Sequence, residues 1–201
     1  MTATAHISAL TEALAAEGWF RIEPPIRPRK TRVIYPPDDN YGMPSLTITE
    51  HTGMTNPEGT LVLEIETRAD DKVNVHLWAP GGGNGDLEPD AAWLLSTHDN
   101  PPTATLLTAI RAAALTNPDP VDITLVIKEQ RWKRAEPGGR DIANFERGRT
   151  ECLTHYLSPT WDFKPFTWDA HLGRAAEGWK ALATRATPEH VIATLIVRPT
   201  A

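Results

Sequence analysis

Three consecutive stretches of the chain alternate apolar and polar residues with a period of two. Leu46, Ile48 and Glu50 alternate with Ser45, Thr47 and Thr49. Leu61, Leu63 and Ile65 alternate with Val62, Glu64 and Glu66. Val73, Val75, Leu77 and Ala79 alternate with Asn74, His76 and Trp78. Side chains of successive strand residues point to opposite faces, so this period predicts strands. Asn56-Pro57-Glu58-Gly59 and Ala69-Asp70-Asp71 carry turn chemistry between them. Residues 45–79 are therefore expected to form an antiparallel meander with one face buried.

Elsewhere the spacing is helical or mixed. Ile7, Leu10 and Leu14 predict a helix over 5–17, stopped by Gly18. Residues 19–23 are expected as a short strand ended by Pro24-Pro25, and 90–96 as a short helix. Asp99-Asn100-Pro101-Pro102 is a helix start, with Asp99 as its cap, and Leu106, Leu107, Ile110, Ala113 and Ala114 form the stripe behind it. Val121, Ile123, Leu125 and Ile127 alternate and predict a strand over 121–128. Ile142, Phe145, Cys152, Leu153 and Tyr156 suggest a weaker helix over 141–157. Trp168, Leu172, Ala175, Ala176, Trp179 and Leu182 suggest a stronger one.

At the end, Thr187-Pro188-Glu189 resembles an N-cap, whereas the run that follows is β-branched. A single turn and a final strand over 191–198 is favoured, with a helix as the other reading. The expected fold is α+β: a largely antiparallel sheet (the meander plus strands near 121–128 and 191–198) with helices packed on one face. A single domain over 1–201 is expected, because no linker-like stretch divides the chain.

Composition narrows the function classes. With 201 residues, 40% hydrophobic and 23% charged, the chain suits a soluble globular protein. No apolar run approaches a membrane span and no leader is evident, so a cytoplasmic location without membrane partners is expected. The net charge of −6 weighs against a general nucleic-acid binder. The single cysteine, Cys152, excludes an intrachain disulfide and is expected as a small buried residue. Fourteen Arg against six Lys, with abundant Ala and Pro, suggest a high-GC source such as an actinobacterium or its phage.

Five features carry candidate chemistry. Gly81-Gly82-Gly83-Asn84-Gly85-Asp86 follows a strand but lacks the Lys-Ser/Thr of a phosphate loop, so a surface loop is the better reading. Arg27, Arg29, Lys30 and Arg32, and a second group of Lys128, Arg131, Lys133, Arg134 and Arg140 around Trp132, could form a local basic patch with a stacking ring for nucleic acid.

Glu64 and Glu66 share a strand face, and with Asp70 and Asp71 could hold Mg²⁺ against a substrate phosphate. A solvated outer sheet face explains the two glutamates without a metal. The seven histidines (His6, His51, His76, His98, His155, His171 and His190) show no paired-ligand spacing, and His98 next to Asp99 is the only one beside an acid in an expected loop. Trp161, Phe163, Phe166 and Trp168 cluster in an expected loop that either plugs the core or anchors a partner.

Taken together, the sequence favours a non-enzymatic accessory protein, phage- or mobile-element-encoded, that binds a protein partner. The expected binding residues are Trp161, Phe163, Phe166 and Trp168 with Arg27, Arg29, Lys30 and Arg32. No catalytic residue, metal or cofactor is assigned. Two rivals remain. A nucleic-acid-associated protein needs one contiguous basic face. A metal-dependent phosphate-processing enzyme needs Glu64, Glu66 and Asp71 to converge.

Overall fold

The structure, a computed structural model, describes residues 3–22, 48–81, 91–135, 142–156, 166–172 and 178–197. Among them are four helices and ten strands, and every described strand pairing is antiparallel. The fold is α+β with an antiparallel sheet, as the strand periodicity predicts. The chain divides into two compact units, Met1–Ala92 and Trp93–Ala201.

The first unit holds helix α1 (Ala3–Ala16) and strands β1 (Phe20–Ile22), β2 (Ile48–Thr55), β3 (Val62–Arg68) and β4 (Val73–Pro80). Helix α1 buries Ile7, Leu10 and Leu14 at helical spacing, as expected. Its end is set by Gly18, whose φ of +87° is a left-handed conformation open to glycine. A Cβ there would also approach Pro57 Cγ at 3.2 Å. At the other end, the Ala3 backbone N–H donates to Asp71 Oδ1 at 3.3 Å. The helix is thus tied to both turns of the β2–β3–β4 meander.

The meander is present, but its first strand runs Ile48–Thr55 and not from residue 45 to 50, with Ile48 exposed and Met54 buried, and residues 45–47 lie outside the described residues. The β2–β3 turn is locked by Asn56, whose Oδ1 accepts the Leu61 N–H at 2.8 Å and whose Nδ2 donates to Thr60 Oγ1 at 2.8 Å. On one face of the sheet Met54, Leu63 and Leu77 lie in one row and Ile65 faces Val75, all buried. Strand β3 is buried on its other face as well.

The second unit corrects several expectations. It contains β5 (Ala91–His98) from Trp93 on, α2 (Thr103–Ala113), α3 (Ile123–Glu129), β6 (Lys133–Ala135), β7 (Ile142–Arg147), β8 (Glu151–Tyr156), β9 (Phe166–Leu172), β10 (Trp179–Thr184) and α4 (Glu189–Ile196). Its strands pair in the order β5-β10-β9-β8-β7-β6.

The stretch 121–128 is helix α3, not a strand. Asp122 Oδ1 accepts the N–H groups of Thr124 and Leu125, which is an N-cap. Ile123 and Ile127, one helical turn apart, are buried while Leu125 is 55% exposed. Within the stretch 191–198, residues 191–196 lie in helix α4 and not in a strand, because Val191, Ile192, Leu195 and Ile196 make a helical stripe that packs on α2 and α3, and residue 198 lies outside the described residues. Its N-cap is Pro188, one residue later than expected. Thr187 Oγ1 instead donates to the Leu94 carbonyl at 2.9 Å.

In place of the expected helix over 141–157, residues 142–156 form a hairpin, β7 and β8, turning at Gly148 with φ +69°. Of the expected stripe, Trp168 and Leu172 fall on strand β9 and Trp179 and Leu182 on β10, and Ala175 and Ala176 lie outside the described residues. Residues 91–96 of the expected short helix at 90–96 belong to strand β5, which pairs with β10. Helix α2 starts where the Pro-Pro signal places it, but its N-cap is Pro102 and Asp99 has φ +64°.

Candidate metal centre

The middle of the meander carries a polar row on the face opposite Leu63 and Ile65. In register, His51 of β2 and Asn74 of β4 stand on either side of Glu66. Gly53 of β2 and His76 of β4 stand on either side of Glu64. Directly opposed residues of an antiparallel pair bring their Cβ atoms to about 5 Å. Five polar side chains from three strands therefore crowd one patch.

Their contacts are diagonal. His51 Nε2 bonds Glu64 Oε1, although its register partner is Glu66. Gly53, directly opposite Glu64, contributes no side chain there and leaves that position to the imidazole. His76 Nε2 lies 3.4 Å from Glu66 Oε2. One ligand atom each of His51, Glu64 and Glu66 lies within 4.8 Å of the other two.

Burial gives this patch its chemistry. Glu64 is 0% and Glu66 8% exposed, so the expectation of a solvated outer face for them is overturned. Two carboxylates held together away from water repel each other, and each loses hydration worth several kcal/mol. Positive charge nearby would relieve such a pair. A divalent cation would balance both, and its binding releases protons from its ligands.

The donor set is one imidazole nitrogen and two carboxylates. Imidazole moves preference away from Mg²⁺ and Ca²⁺, which take oxygen ligands, and toward first-row transition ions and Zn²⁺. His76 on Glu66 is then the outer partner that orients a ligating carboxylate. The His51 side chain is 28% exposed, so solvent reaches the centre from the β2 side. No family model matches this chain, and no curated protein or solved structure does either.

The other sequence-derived candidates fare differently. Asp70 and Asp71 do not join Glu64 and Glu66: Asp70 pairs with Arg68 at 2.7 Å, and Asp71 accepts the Ala3 N–H. Lys128, Arg131, Lys133 and Arg134 are exposed at the α3–β6 corner. Trp132 among them is buried beneath the Arg147 guanidinium, 4.4 Å from the ring centroid, so it is no platform for a base. Cys152 is exposed, not buried as expected, because β8 turns Glu151 and Leu153 inward and Cys152 outward. His98 is buried at the end of β5.

Arg27, Arg29, Lys30, Arg32, Arg140, Trp161 and Phe163 lie outside the described residues, as do 82–86 of the glycine-rich run. Phe166 and Trp168 belong to the backbone of β9, in register with Thr184 and Ala183. No helix among the described residues is long and apolar enough to cross a membrane.

Local spacing could not reveal the His51–Glu64–Glu66 group, since His51 lies on β2, thirteen residues before Glu64, while Glu64 and Glu66 lie two apart on β3. The signal was the meander itself. Folded about its two turns, the polar positions of all three strands coincide.

Proposed function

We propose that this protein is a metalloprotein that binds one divalent transition-metal ion through His51, Glu64 and Glu66, and that the ion activates water for hydrolysis. The observation that carries this reading is the burial of two adjacent carboxylates within 4.8 Å of a histidine nitrogen. Three protein ligands leave coordination positions for water and substrate, the arrangement typical of catalytic rather than structural sites. A bound ion lowers the pKa of its water toward neutrality and polarises the bond under attack. His51, Glu64 and Glu66 hold the ion, and His76 fixes the Glu66 carboxylate.

This reading replaces Mg²⁺ with an ion that accepts imidazole and drops Asp71 from the phosphate-processing alternative. The protein-binding reading at Trp161, Phe163, Phe166 and Trp168 has no comparable support, and neither does the nucleic-acid reading.

The test is calorimetric titration of chelator-stripped protein with Mn²⁺, Fe²⁺ under argon, and Zn²⁺. Turnover of p-nitrophenyl phosphate and p-nitrophenyl acetate by the loaded protein is then measured. One equivalent bound, with proton release and metal-dependent turnover, is the expected result. Absence of binding would leave the His–Glu pairs as structural contacts and end the proposal. Binding without turnover of any ester would keep the centre and remove the hydrolytic role.

A further inference from the structure

We infer that Asn74 is a fourth protein ligand of this centre, which suits it to an oxygen-preferring ion of the Mn²⁺ class. The inference rests on the metal-binding reading above and adds a donor and a metal class to it. Asn74 stands directly opposite Glu66 in the β3–β4 register, on the face that carries His76 and both glutamates. It is 3% exposed, and its Oδ1 has no hydrogen-bond partner among the described residues.

A buried amide oxygen without a donor costs about 1–3 kcal/mol, so native structures nearly always supply a partner. Glu66, its cross-strand partner, is a carboxylate when ionised and has no proton to give. A cation accepts an amide oxygen directly, since an Asn carbonyl is a common ligand of hard ions.

The resulting set is one imidazole nitrogen and three oxygens. Carboxylate and carbonyl oxygens favour Mn²⁺, while imidazole keeps the site within reach of Fe²⁺ and Zn²⁺. Zn²⁺ is satisfied by four-coordination, which the three earlier ligands and one water complete. An octahedral ion such as Mn²⁺ takes more oxygen ligands and has more use for Asn74. The two ions should therefore depend on Asn74 to different degrees.

The experiment titrates Mn²⁺ and Zn²⁺ into chelator-stripped wild type, Asn74→Leu and Asn74→Asp, with circular dichroism to check each fold. Asn74→Leu is expected to lower Mn²⁺ affinity by about tenfold or more, the scale on which metal sites respond to loss of a supporting group. Its Zn²⁺ affinity should move less. Asn74→Asp keeps an oxygen at the same place and adds charge, so Mn²⁺ should bind at least as tightly as to wild type. Equal Mn²⁺ affinity in wild type and both variants would overturn the role of Asn74 and leave the centre standing. Should Asn74→Leu not fold, a loss of Mn²⁺ binding in Asn74→Asp would overturn it. A wild type that binds neither ion would remove the centre and this inference with it.

Discussion

Each unit of this protein buries charge, and the two do so differently. In the second unit, Arg147 and Glu151 face each other across the β7–β8 turn. Arg147 Nε donates to Glu151 Oε2 at 2.7 Å, Nη2 donates to Oε1 at 3.2 Å, and Nη1 donates to the Ile196 carbonyl at 2.7 Å. Its guanidinium also covers the Trp132 ring. One cation meets one anion in forked geometry, and the spare donor finds a carbonyl. In the first unit, two carboxylates meet imidazoles and an amide whose oxygen lacks a donor among the described residues. The first arrangement is complete within the chain. On the metal-binding proposal, a cation would complete the second.

The sharpest way to break this comparison is Arg147→Met. It strands the Glu151 carboxylate in the interior, which is expected to cost about 3–5 kcal/mol in urea unfolding. Metal affinity of the folded fraction should not change. A loss below about 1 kcal/mol would put the Arg147 pair among weak surface contacts, which its burial contradicts.

The matching substitution in the first unit is Glu64→Gln. It removes one of the crowded carboxylates, so metal affinity should fall by about a hundredfold or more. The melting temperature of the metal-free protein should fall far less than in Arg147→Met. If the metal-free protein suffers as badly as the Arg147 variant, Glu64 is a structural charge, and the contrast between the units fails.

A smaller effect is expected from acid. Burial lowers the pKa of His6 in the first unit below its ordinary 6.5. Burial also lowers that of His155 in the second unit, with the Glu189 carboxylate pulling it partly back. A histidine depressed in the folded state takes up protons more readily when unfolded. Stability from both residues is therefore full above pH 6.5 and is lost as pH falls through their folded values. Melting temperature should drop on that acid side, and His6→Gln should flatten part of the drop. A slope unchanged by His6→Gln would remove His6 from the account.

The same contrast explains what the sequence made legible. The meander of the first unit was readable because its inward positions on one face are aliphatic and its turns are strongly marked. In the β7–β8 hairpin the inward set includes Arg147 and Glu151 while Cys152 points outward. Charges inside and a thiol outside erase the period of two, and the remaining apolar residues fell by chance at helical spacing. Strand β10 hides its period in a similar way, since its inward set beyond Trp179 is Ala181 and Ala183. At 121–128 the alternation was real but lost to a local hydrogen bond, the Asp122 cap.

The candidate site was half legible. Glu64 and Glu66 sharing a face follows from strand geometry alone. Their burial, and the arrival of His51, His76 and Asn74, depend on register and on what covers the face. Neither is encoded within any short window of sequence.

Strand β3 is buried on both faces, with Leu63 and Ile65 on one and Glu64 and Glu66 on the other. Alternate residues of one short segment thus face different surroundings. Leu63 and Ile65 can exchange among aliphatic residues of similar volume and keep the fold. On the metal-binding proposal, Glu64 and Glu66 would accept no such drift, because a change there would alter what the protein can hold. Saturation mutagenesis of these few codons would show a two-beat rhythm, permissive for shape at one position and for charge at none of its neighbours.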